Sequence, residues 1–461
     1  MSVRGRLTRT WAQFASELEY ERLPAALVAS TKGLLLDTIG VSLAASTLGE
    51  GCKQVVAMVR ANPGAAEATL LGYGDRVSSL LAAFGNGALA HALNFDANGA
   101  AGGHLGLASI PATLVMAERR GQVDGRELIT SIAAAAEFTA RLAAALRVAG
   151  VDANEKFLEG QLLGYFGAAI GAGRVLRFTP AQMHSLLGLA LMQAAGSRQV
   201  SFEGGAAKAI YGAYCNHGAV MAASLAEHGI DAACDAIEGR AGMYSLFYAG
   251  KYDAATLIHD LGKRYYATDV VFKPWATSEM LHPFMEACVE IRGKLDLDAS
   301  RIRAVVVRAG THAKPWFEPL AERRRPPNAA TAANSIFFGV AKTLLHGNVS
   351  LADFTPDGLQ EPATLALAER IDYLIDDRVG SGAEVTVTMQ DDSTVSAGAG
   401  ERRPILGYDQ LATKFRDCAR YTAHPIPPAV VEETIERIDR LEQVTEIADL
   451  LARLHRKPDL Q

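Results

Sequence analysis

Apolar side chains recur at helical spacing through the first 265 residues of the chain. The pattern is plainest at residues 27–46, 127–146 and 219–230, where alanine and leucine dominate and no sustained strand-type alternation occurs. Thr179 followed by Pro180 is typical of a helix N-terminus. We therefore predict that this part of the chain is helical throughout.

The pattern changes after Tyr265. Residues 301–309 alternate and are rich in valine, which predicts a strand, and residues 383–399 predict a hairpin with its turn at residues 391–393. Helical spacing returns at residues 331–347 and 364–375. An α+β segment of this kind inside a helical chain indicates a second domain.

A last group of helices is predicted from Leu411 onward. The complete pattern predicts a mostly α fold with a large all-helical domain, residues 1–266 and 402–461, and a smaller α+β lid domain, residues 267–401. Two crossings between the domains predict a cleft, where small-molecule sites commonly lie.

Composition narrows the range of possible binding partners more than it narrows the fold class. The chain has 461 residues, 49% of them hydrophobic, and a net charge of −6 without a block of lysine and arginine. Disorder is excluded, and the electrostatic footprint of a nucleic-acid or anionic-membrane protein is absent. We expect a small-molecule partner and a second copy of the chain.

The five cysteines are scattered without a close pair, which favours reduced thiols in the cytoplasm over a zinc site or a disulfide framework. The N-terminal segment has no apolar region of the signal-peptide type, so no signal peptide is expected. Val77–Phe95 has the length of a membrane span, but glycine, asparagine and histidine interrupt it and no basic flank orients it. We predict a buried helix of a cytoplasmic protein there.

Three isolated charges lie in otherwise uncharged segments. Asp96 has the only formal charge between Val77 and Ala117, Arg198 ends an uncharged run, and Lys208 is alone between Glu203 and Glu227. Because an unpaired buried charge is costly, such groups either pair with each other or line a cavity. One interpretation is an ion pair of Asp96 with Lys208 or Arg198.

The alternative interpretation is a functional site. Asp96 lies in a stretch with four glycines, two asparagines and His104, the composition of a polar loop between buried helices. Phosphate-binding, dinucleotide-binding, zinc-protease and hydrolase-elbow motifs do not occur in the sequence. A metal ligand set is not indicated by the spacing of the histidines.

Several spaced segments carry a family resemblance. Residues 85–119, 204–230, 272–291 and 326–347 resemble, in order and spacing, the MmgE/PrpD family of 2-methylcitrate dehydratases, cis-aconitate decarboxylases and iminodisuccinate epimerase-like proteins. The resemblance implies a large helical domain, a smaller α+β lid and a homodimer. It also implies chemistry on small di- or tricarboxylates without metal or organic cofactor.

The resemblance also assigns candidate roles. His104, Asp96, Lys208 and Lys273 match family motifs and are the candidate catalytic residues, with His104 as the acid/base. The candidate substrate-binding residues are the amides and cations nearby: Asn94, Asn98, Arg198 and His282.

Three positions depart from the family pattern. Asn94 replaces an aspartate, Phe338 stands where a tyrosine is common, and Leu158 or Glu159 stands where many members have a histidine. Asparagine cannot act as a carboxylate base and phenylalanine cannot donate a proton. A changed substrate or a changed reaction is therefore expected.

Three functions remain open at this point. The first is a lyase that removes a proton α to a carboxylate and expels water or carbon dioxide. The second is an epimerase or isomerase that reprotonates the same enolate-like intermediate. The third is a non-catalytic homologue that binds carboxylates.

Overall fold

The computed structural model describes residues 6–203, 205–294, 299–400 and 406–455. The chain divides into two compact units: a larger one made of Met1–Ala92, Asp96–Phe272 and Leu406–Gln461, and a smaller one made of Leu93–Phe95 and Lys273–Ile405. Helices make up 60% of the structure, so the mostly α fold class is confirmed. The boundary predicted at residues 401/402 lies outside the described residues, and the predicted domain limits stay a prediction.

Within the described residues, the larger unit begins with thirteen α-helices, most of them with a buried apolar face. They are α1 Leu7–Glu17, α2 Ala25–Leu48, α3 Cys52–Ala61, α4 Ser79–His91, α5 Leu105–Ser109, α6 Pro111–Arg120, α7 Gly125–Val148, α8 Glu159–Val175, α9 Pro180–Leu191, α10 Gln199–Glu203, α11 Tyr211–Glu227, α12 Met243–Tyr248 and α13 Ala254–Ile258. As predicted, α9 starts at Pro180, and Thr179 caps it by accepting the backbone N–H of Gln182.

Two minimal strand pairs, which the helical pattern did not predict, also belong to the larger unit. They are β1 Ala68–Thr69 with β2 Arg76–Val77, and β3 Asn98–Gly99 with β4 Val270–Val271, both antiparallel. The second pair fixes the loop that follows α4 by joining it to the end of the first helical segment.

The described part of the smaller unit contains six α-helices and a four-stranded sheet. The helices are α14 His282–Lys294, α15 Leu320–Arg324, α16 Ala329–Ala332, α17 Ile336–His346, α18 Pro356–Leu359 and α19 Pro362–Ala368. The strands are β5 Ile302–Ala309, β6 Ile371–Ile375, β7 Ala383–Met389 and β8 Thr394–Ala399, in the order β6-β5-β7-β8. The predicted strand at 301–309 and the hairpin at 383–399 are confirmed.

The helix predicted over residues 364–375 is wrong in its second half. Helix α19 ends at Ala368, and residues 371–375 form β6, which pairs in parallel with β5 from Val305↔Ile371 to Ala309↔Ile375. The segment reads Ile-Asp-Tyr-Leu-Ile, whose β-branched and aromatic side chains suit a strand. Pairing with a distant strand, which local spacing cannot show, decides its conformation.

Three helices return to the larger unit at the C-terminal end: α20 Tyr408–Ala419, α21 Pro428–Asp439 and α22 Ile447–Leu454. They agree with the helices predicted from Leu411 onward.

Helix α11 packs closely on α4 and α8 in the larger unit. Glycines permit the closest approach, because a methyl group added to Gly87 would collide with the backbone of Gly212, and one added to Gly212 would collide with Gly87. This contact brings the C-terminal end of α4 and the N-terminal end of α11 together.

Two helices, α2 and α7, are long and apolar enough to cross a membrane by length and composition, but 78% and 100% of their apolar windows are buried inside the protein. Core helices of water-exposed proteins pass the same test. Within the stretch Val77–Phe95, helix α4 has only 13 residues, against the roughly 20 that a spanning helix needs.

A buried ion pair on α7 anchors this helix to α13 and the residues that follow α13. Arg141 Nε donates to Glu137 Oε1 at 2.6 Å, and both side chains are fully buried. The guanidinium also donates to three backbone carbonyls, those of Thr256, His259 and Arg264, each at 2.8 Å. Four of the five N–H groups of this buried guanidinium thus have an acceptor.

Replacing Arg141 should therefore be costly. Arg141→Gln leaves Glu137 buried without its cation and removes donors from three carbonyls, so we expect a loss of about 3–5 kcal/mol in the free energy of unfolding, measured by urea titration. The control is Arg440→Gln, which breaks an exposed i,i+4 pair with Glu436 and should cost less than about 1 kcal/mol. Equal losses in the two variants would contradict this account of the pair.

Candidate active site

The candidate site of the larger unit forms where four helices begin or end. His91 is the last residue of α4, His104 immediately precedes α5, Glu159 opens α8 and Tyr211 opens α11. Asp96 lies in the loop between α4 and α5 and is fully buried. The predicted polar loop between two buried helices is present.

Asp96 accepts one hydrogen bond on each carboxylate oxygen. His91 Nδ1 lies 3.0 Å from Oδ1, and His104 Nδ1 lies 2.7 Å from Oδ2. Among the described residues, the ion pairs of Asp96 thus go to the two histidines and not to Lys208 or Arg198. The structure brings Asp96 and His104 together, and it adds His91 to them.

The protonation states follow from this geometry. Burial alone would raise the pKa of Asp96, but the charges and hydrogen bonds of His104 and His91 hold it well below its ordinary value. Burial lowers the pKa of His91 to about 3, against the opposing effect of Asp96. A carboxylate can only accept, so a neutral His91 or His104 carries its proton on Nδ1 and leaves Nε2 as an acceptor.

Each histidine has a different environment. His91 is buried, and its Nε2 has no hydrogen-bond partner within the described part of the chain. The side chain of His104 remains 20% exposed. Only His104 therefore combines a carboxylate partner on Nδ1 with access to a small molecule, which suits it to proton transfer.

Tyr211 completes the aromatic wall of the site. Its ring lies 4.1 Å from the ring of His91 and 6.1 Å from that of His104, measured between centroids. Burial, together with the negative charge of Asp96, raises the pKa of Tyr211 well above its ordinary value. The phenol therefore stays protonated.

Lys208 lies in a short 3₁₀ turn, Ala206–Lys208, just before α11. It is partly buried, and its positive charge contributes to the lowered pKa of His91. The structure thus places this predicted catalytic residue within electrostatic reach of the histidine–aspartate–histidine cluster.

Of the two residues at the variant family position, only Glu159 is polar and close to His104. Leu158 packs in an apolar cluster with Ala90, Leu107 and Tyr211. Glu159 is buried, and its carboxylate interacts electrostatically with His104.

Arg198 and Asn98, both predicted to bind substrate, hold the backbone around the site. The guanidinium of Arg198 donates to the carbonyl of Asn154, in the loop that precedes α8. Asn98 is the first residue of β3 and is paired with Val271. Their contact with a substrate stays a prediction.

Other predicted site residues belong to the smaller unit. Lys273 is buried and donates from Nζ to both the backbone carbonyl (3.0 Å) and the side-chain Oδ1 (3.2 Å) of Asn94. His282 opens α14 and packs edge-on against Trp275. Phe338 is fully buried, with its ring 6.1 Å from that of Phe354.

The cluster of His91, Asp96 and His104 is also the one group of the described residues whose ligand atoms, all within 4.8 Å of one another, could hold a metal ion. However, both Nδ1–carboxylate distances are ordinary hydrogen-bond lengths. Protons on the two Nδ1 atoms account for this geometry, and we treat the cluster as a hydrogen-bonded unit.

Sequence reasoning missed three members of the site: His91, Glu159 as a partner of His104, and Tyr211. His91 is five residues before Asp96, in the same segment that carried the family resemblance. Tyr211 is close behind Lys208 in the sequence. Proximity to an isolated charge was the signal that could have identified both.

Comparison with known families agrees with the resemblance seen in the sequence. The MmgE/PrpD N-terminal domain model matches residues 9–255, and the MmgE/PrpD C-terminal domain model matches residues 275–440. The chain therefore belongs to the MmgE/PrpD family, and at the level of this family it is a carboxylate lyase of the dehydratase or decarboxylase type.

Two fungal relatives extend over nearly the whole chain. Cis-aconitate decarboxylase of Aspergillus terreus is 23% identical over 474 residues, covering 96% of each chain. Cis-aconitate decarboxylase-like protein oryM of Aspergillus oryzae is 25% identical over 484 residues, covering 97% of each.

The buried, neutral state of His91 predicts a pH dependence of stability. Because folding lowers its pKa from 6.5 to about 3, the unfolded chain binds the additional proton between these pH values. This group therefore stabilises the fold fully above pH 6.5, and its contribution is lost as the pH falls toward 3, at about 1.4 kcal/mol per pH unit.

Urea titrations between neutral pH and acid measure this slope. His91→Asn should flatten it, whereas the same change at the exposed His228 should leave it as in the wild type. A His91→Asn slope as steep as that of the wild type would show that His91 is protonated in the fold.

Proposed function

We propose that this protein is a cofactor-independent lyase that acts on a small di- or tricarboxylate through proton transfer at the carbon next to a carboxylate. The observation that carries the proposal is the 2.7 Å hydrogen bond between His104 Nδ1 and the buried Asp96. This hydrogen bond holds a partly exposed imidazole in one orientation against a carboxylate that is buried away from water.

In the dehydratase direction, His104 Nε2 takes the α-proton. The substrate becomes an enolate-like anion, and Asp96 stabilises the imidazolium that forms, without taking the proton itself. The hydroxyl group on the neighbouring carbon then leaves as water, with the proton that the imidazolium gives back. A positioned acid/base of this kind contributes about 10²–10⁴-fold to the rate.

In the decarboxylase direction, the same imidazole works as an acid. Loss of carbon dioxide leaves a carbanion next to a carboxylate, and imidazolium at position 104 protonates it. The names of the two relatives describe decarboxylation of cis-aconitate. We therefore place cis-aconitate and related tricarboxylates first among the candidate substrates.

Substrate carboxylates need cations in the site. Lys208 is the cation whose charge already acts on the cluster, and we assign it to a substrate carboxylate. A catalytic role for Lys273 and substrate binding by Arg198, Asn94, Asn98 and His282 stay predictions.

The second candidate function is an epimerase or isomerase. Phe338 is fully buried and cannot donate a proton, and the amide of Asn94 is engaged by Lys273. Assistance to a leaving group is thus missing at both positions, whereas the proton-transfer pair Asp96–His104 is intact. This observation supports the epimerase or isomerase as the second candidate.

We also propose a cytoplasmic homodimer. Large apolar side chains remain exposed on the larger unit of the isolated chain, among them Met192 (82%), Val148 (65%) and Leu246 (56%). A second copy of the chain would remove such surface from water.

The test is proton NMR in heavy water with a panel of carboxylates: cis-aconitate, citrate, 2-methylcitrate, malate and substituted succinates. We expect the wild type to convert at least one of them, with new alkene signals. His104→Gln should lower the rate about 10²–10⁴-fold while ligand-induced thermal stabilisation persists. His228→Gln, a change at an exposed histidine, should behave as the wild type.

Deuterium incorporation or a new diastereomer without elimination would identify the epimerase instead. A wild type that is stabilised by ligands and exchanges no proton would contradict both enzymes and leave a carboxylate-binding protein. An unchanged rate in His104→Gln would remove His104 from the acid/base role.

A further inference from the structure

Glu159 is a buried acid that the proposed reaction does not yet use. It is the first residue of α8 and is only 9% exposed. Its Oε2 accepts from Asn154 Nδ2 at 3.2 Å, and its carboxylate accepts the backbone N–H of Gly103. Burial raises its pKa above the ordinary value, against these hydrogen bonds and the charge of His104.

Close backbone packing brings the start of α8, where this acid lies, to His104. A methyl group on Gly160 would lie 2.7 Å from His104 Cδ2, the ring atom bonded to Nε2, and would collide with the hydroxyl of Tyr211. A methyl group on Gly102, whose φ is +109°, would lie 3.0 Å from Glu159 Oε1. The start of α8 therefore meets His104 on the edge that bears the free nitrogen.

Glu159 also lines a cavity of about 280 Å³ in the larger unit. The cavity is also lined by Ala101, Gly102, Ala143, Arg147, Gly150, Val151, Asp152, Ala153 and Asn154. Gly150, Asp152 and Asn154 are exposed, so the cavity opens to solvent. The carboxyl group of Glu159 thus interacts electrostatically with His104 and also lines a cavity that opens to solvent.

We propose that Glu159 is a proton-relay residue, which passes protons between His104 and the water of this cavity. For each proton moved inward, the carboxylic acid gives its proton to neutral His104, and the resulting carboxylate takes one from water in the cavity. The outward transfer is the reverse. No oxidant, reductant or further group is required.

The inference rests on the proposed function for its purpose. Decarboxylation consumes one proton per turnover, since the bond to carbon dioxide is replaced by a bond to hydrogen, and His104 must be reprotonated each time. Dehydration and epimerisation return the proton within the site. A relay to solvent therefore favours the decarboxylase branch.

Other titratable groups lie near Glu159 and His104. Those coupled to Glu159 are His104, Asp152, Tyr211, Tyr244 and Tyr248, and Arg147 lies across the cavity. The three tyrosines have raised pKa values because they are buried, and they stay neutral. Asp152 and Arg147 are exposed to solvent.

The test first measures the relay without substrate. NMR saturation transfer on protein with ¹⁵N-labelled histidine reports how fast the ring protons of His104 exchange with water, and His104→Gln assigns the signal. Glu159→Gln should slow this exchange at least about tenfold. Glu155→Gln, in the exposed loop just before α8, should leave it unchanged. Glu159→Asp, which keeps an acid, should fall between them.

Exchange in Glu159→Gln equal to that of the wild type overturns the proposal. Should Glu159→Gln fail to fold, Glu159→Asp decides: exchange slower than in Glu155→Gln supports the relay, and exchange at the wild-type rate overturns it.

Turnover separates the relay from the proposed function. With a substrate that the wild type decarboxylates, Glu159→Gln should lower kcat more than kcat/KM, raise the solvent deuterium isotope effect, and be rescued by formate entering the cavity. Slowed ring exchange together with a wild type that converts no carboxylate would contradict the proposed function and retain the relay. Normal ring exchange in Glu159→Gln together with an active wild type would contradict the relay and retain the proposed function.

Discussion

One buried carboxylate, that of Asp96, accepts hydrogen bonds from two imidazoles, and the site depends on it. An ionised carboxylate without water is tolerated only when strong donors satisfy both oxygens. His91 at 3.0 Å and His104 at 2.7 Å do so. Because His91 is buried and neutral, it works as a fixed donor on one side and leaves His104 to exchange protons on the other.

The helical fold serves this interaction by bringing helix ends together. The glycine contact between α4 and α11 lets their ends meet, so the rings of His91 and Tyr211 lie 4.1 Å apart, and Gly160 lets α8 approach His104. In the proposed relay, the acid at the start of α8 connects the imidazole to a cavity that opens to solvent. Small residues, rather than the catalytic groups themselves, determine how close these groups come.

Much of the fold was predictable because helical spacing and strand alternation are local. The segment at residues 371–375 was not, since its conformation depends on parallel pairing with β5. In the site, the isolated charge of Asp96 and the nearby His104 were predictable. The partner of Asp96 was not: one interpretation of the sequence paired it with Lys208 or Arg198, while the fold placed His91 there. Spacing along a chain does not show which helix ends converge.

The tautomers of the two histidines test the central claim most directly. With Asp96 as a shared acceptor, ¹⁵N NMR of the neutral protein should show a protonated Nδ1 and an unprotonated Nε2 for both His91 and His104, and Asp96→Asn should abolish this pattern for at least one of them. Protonation of Nε2 on His104 in the wild type would mean that its free nitrogen cannot take a proton from a substrate, and would contradict the account.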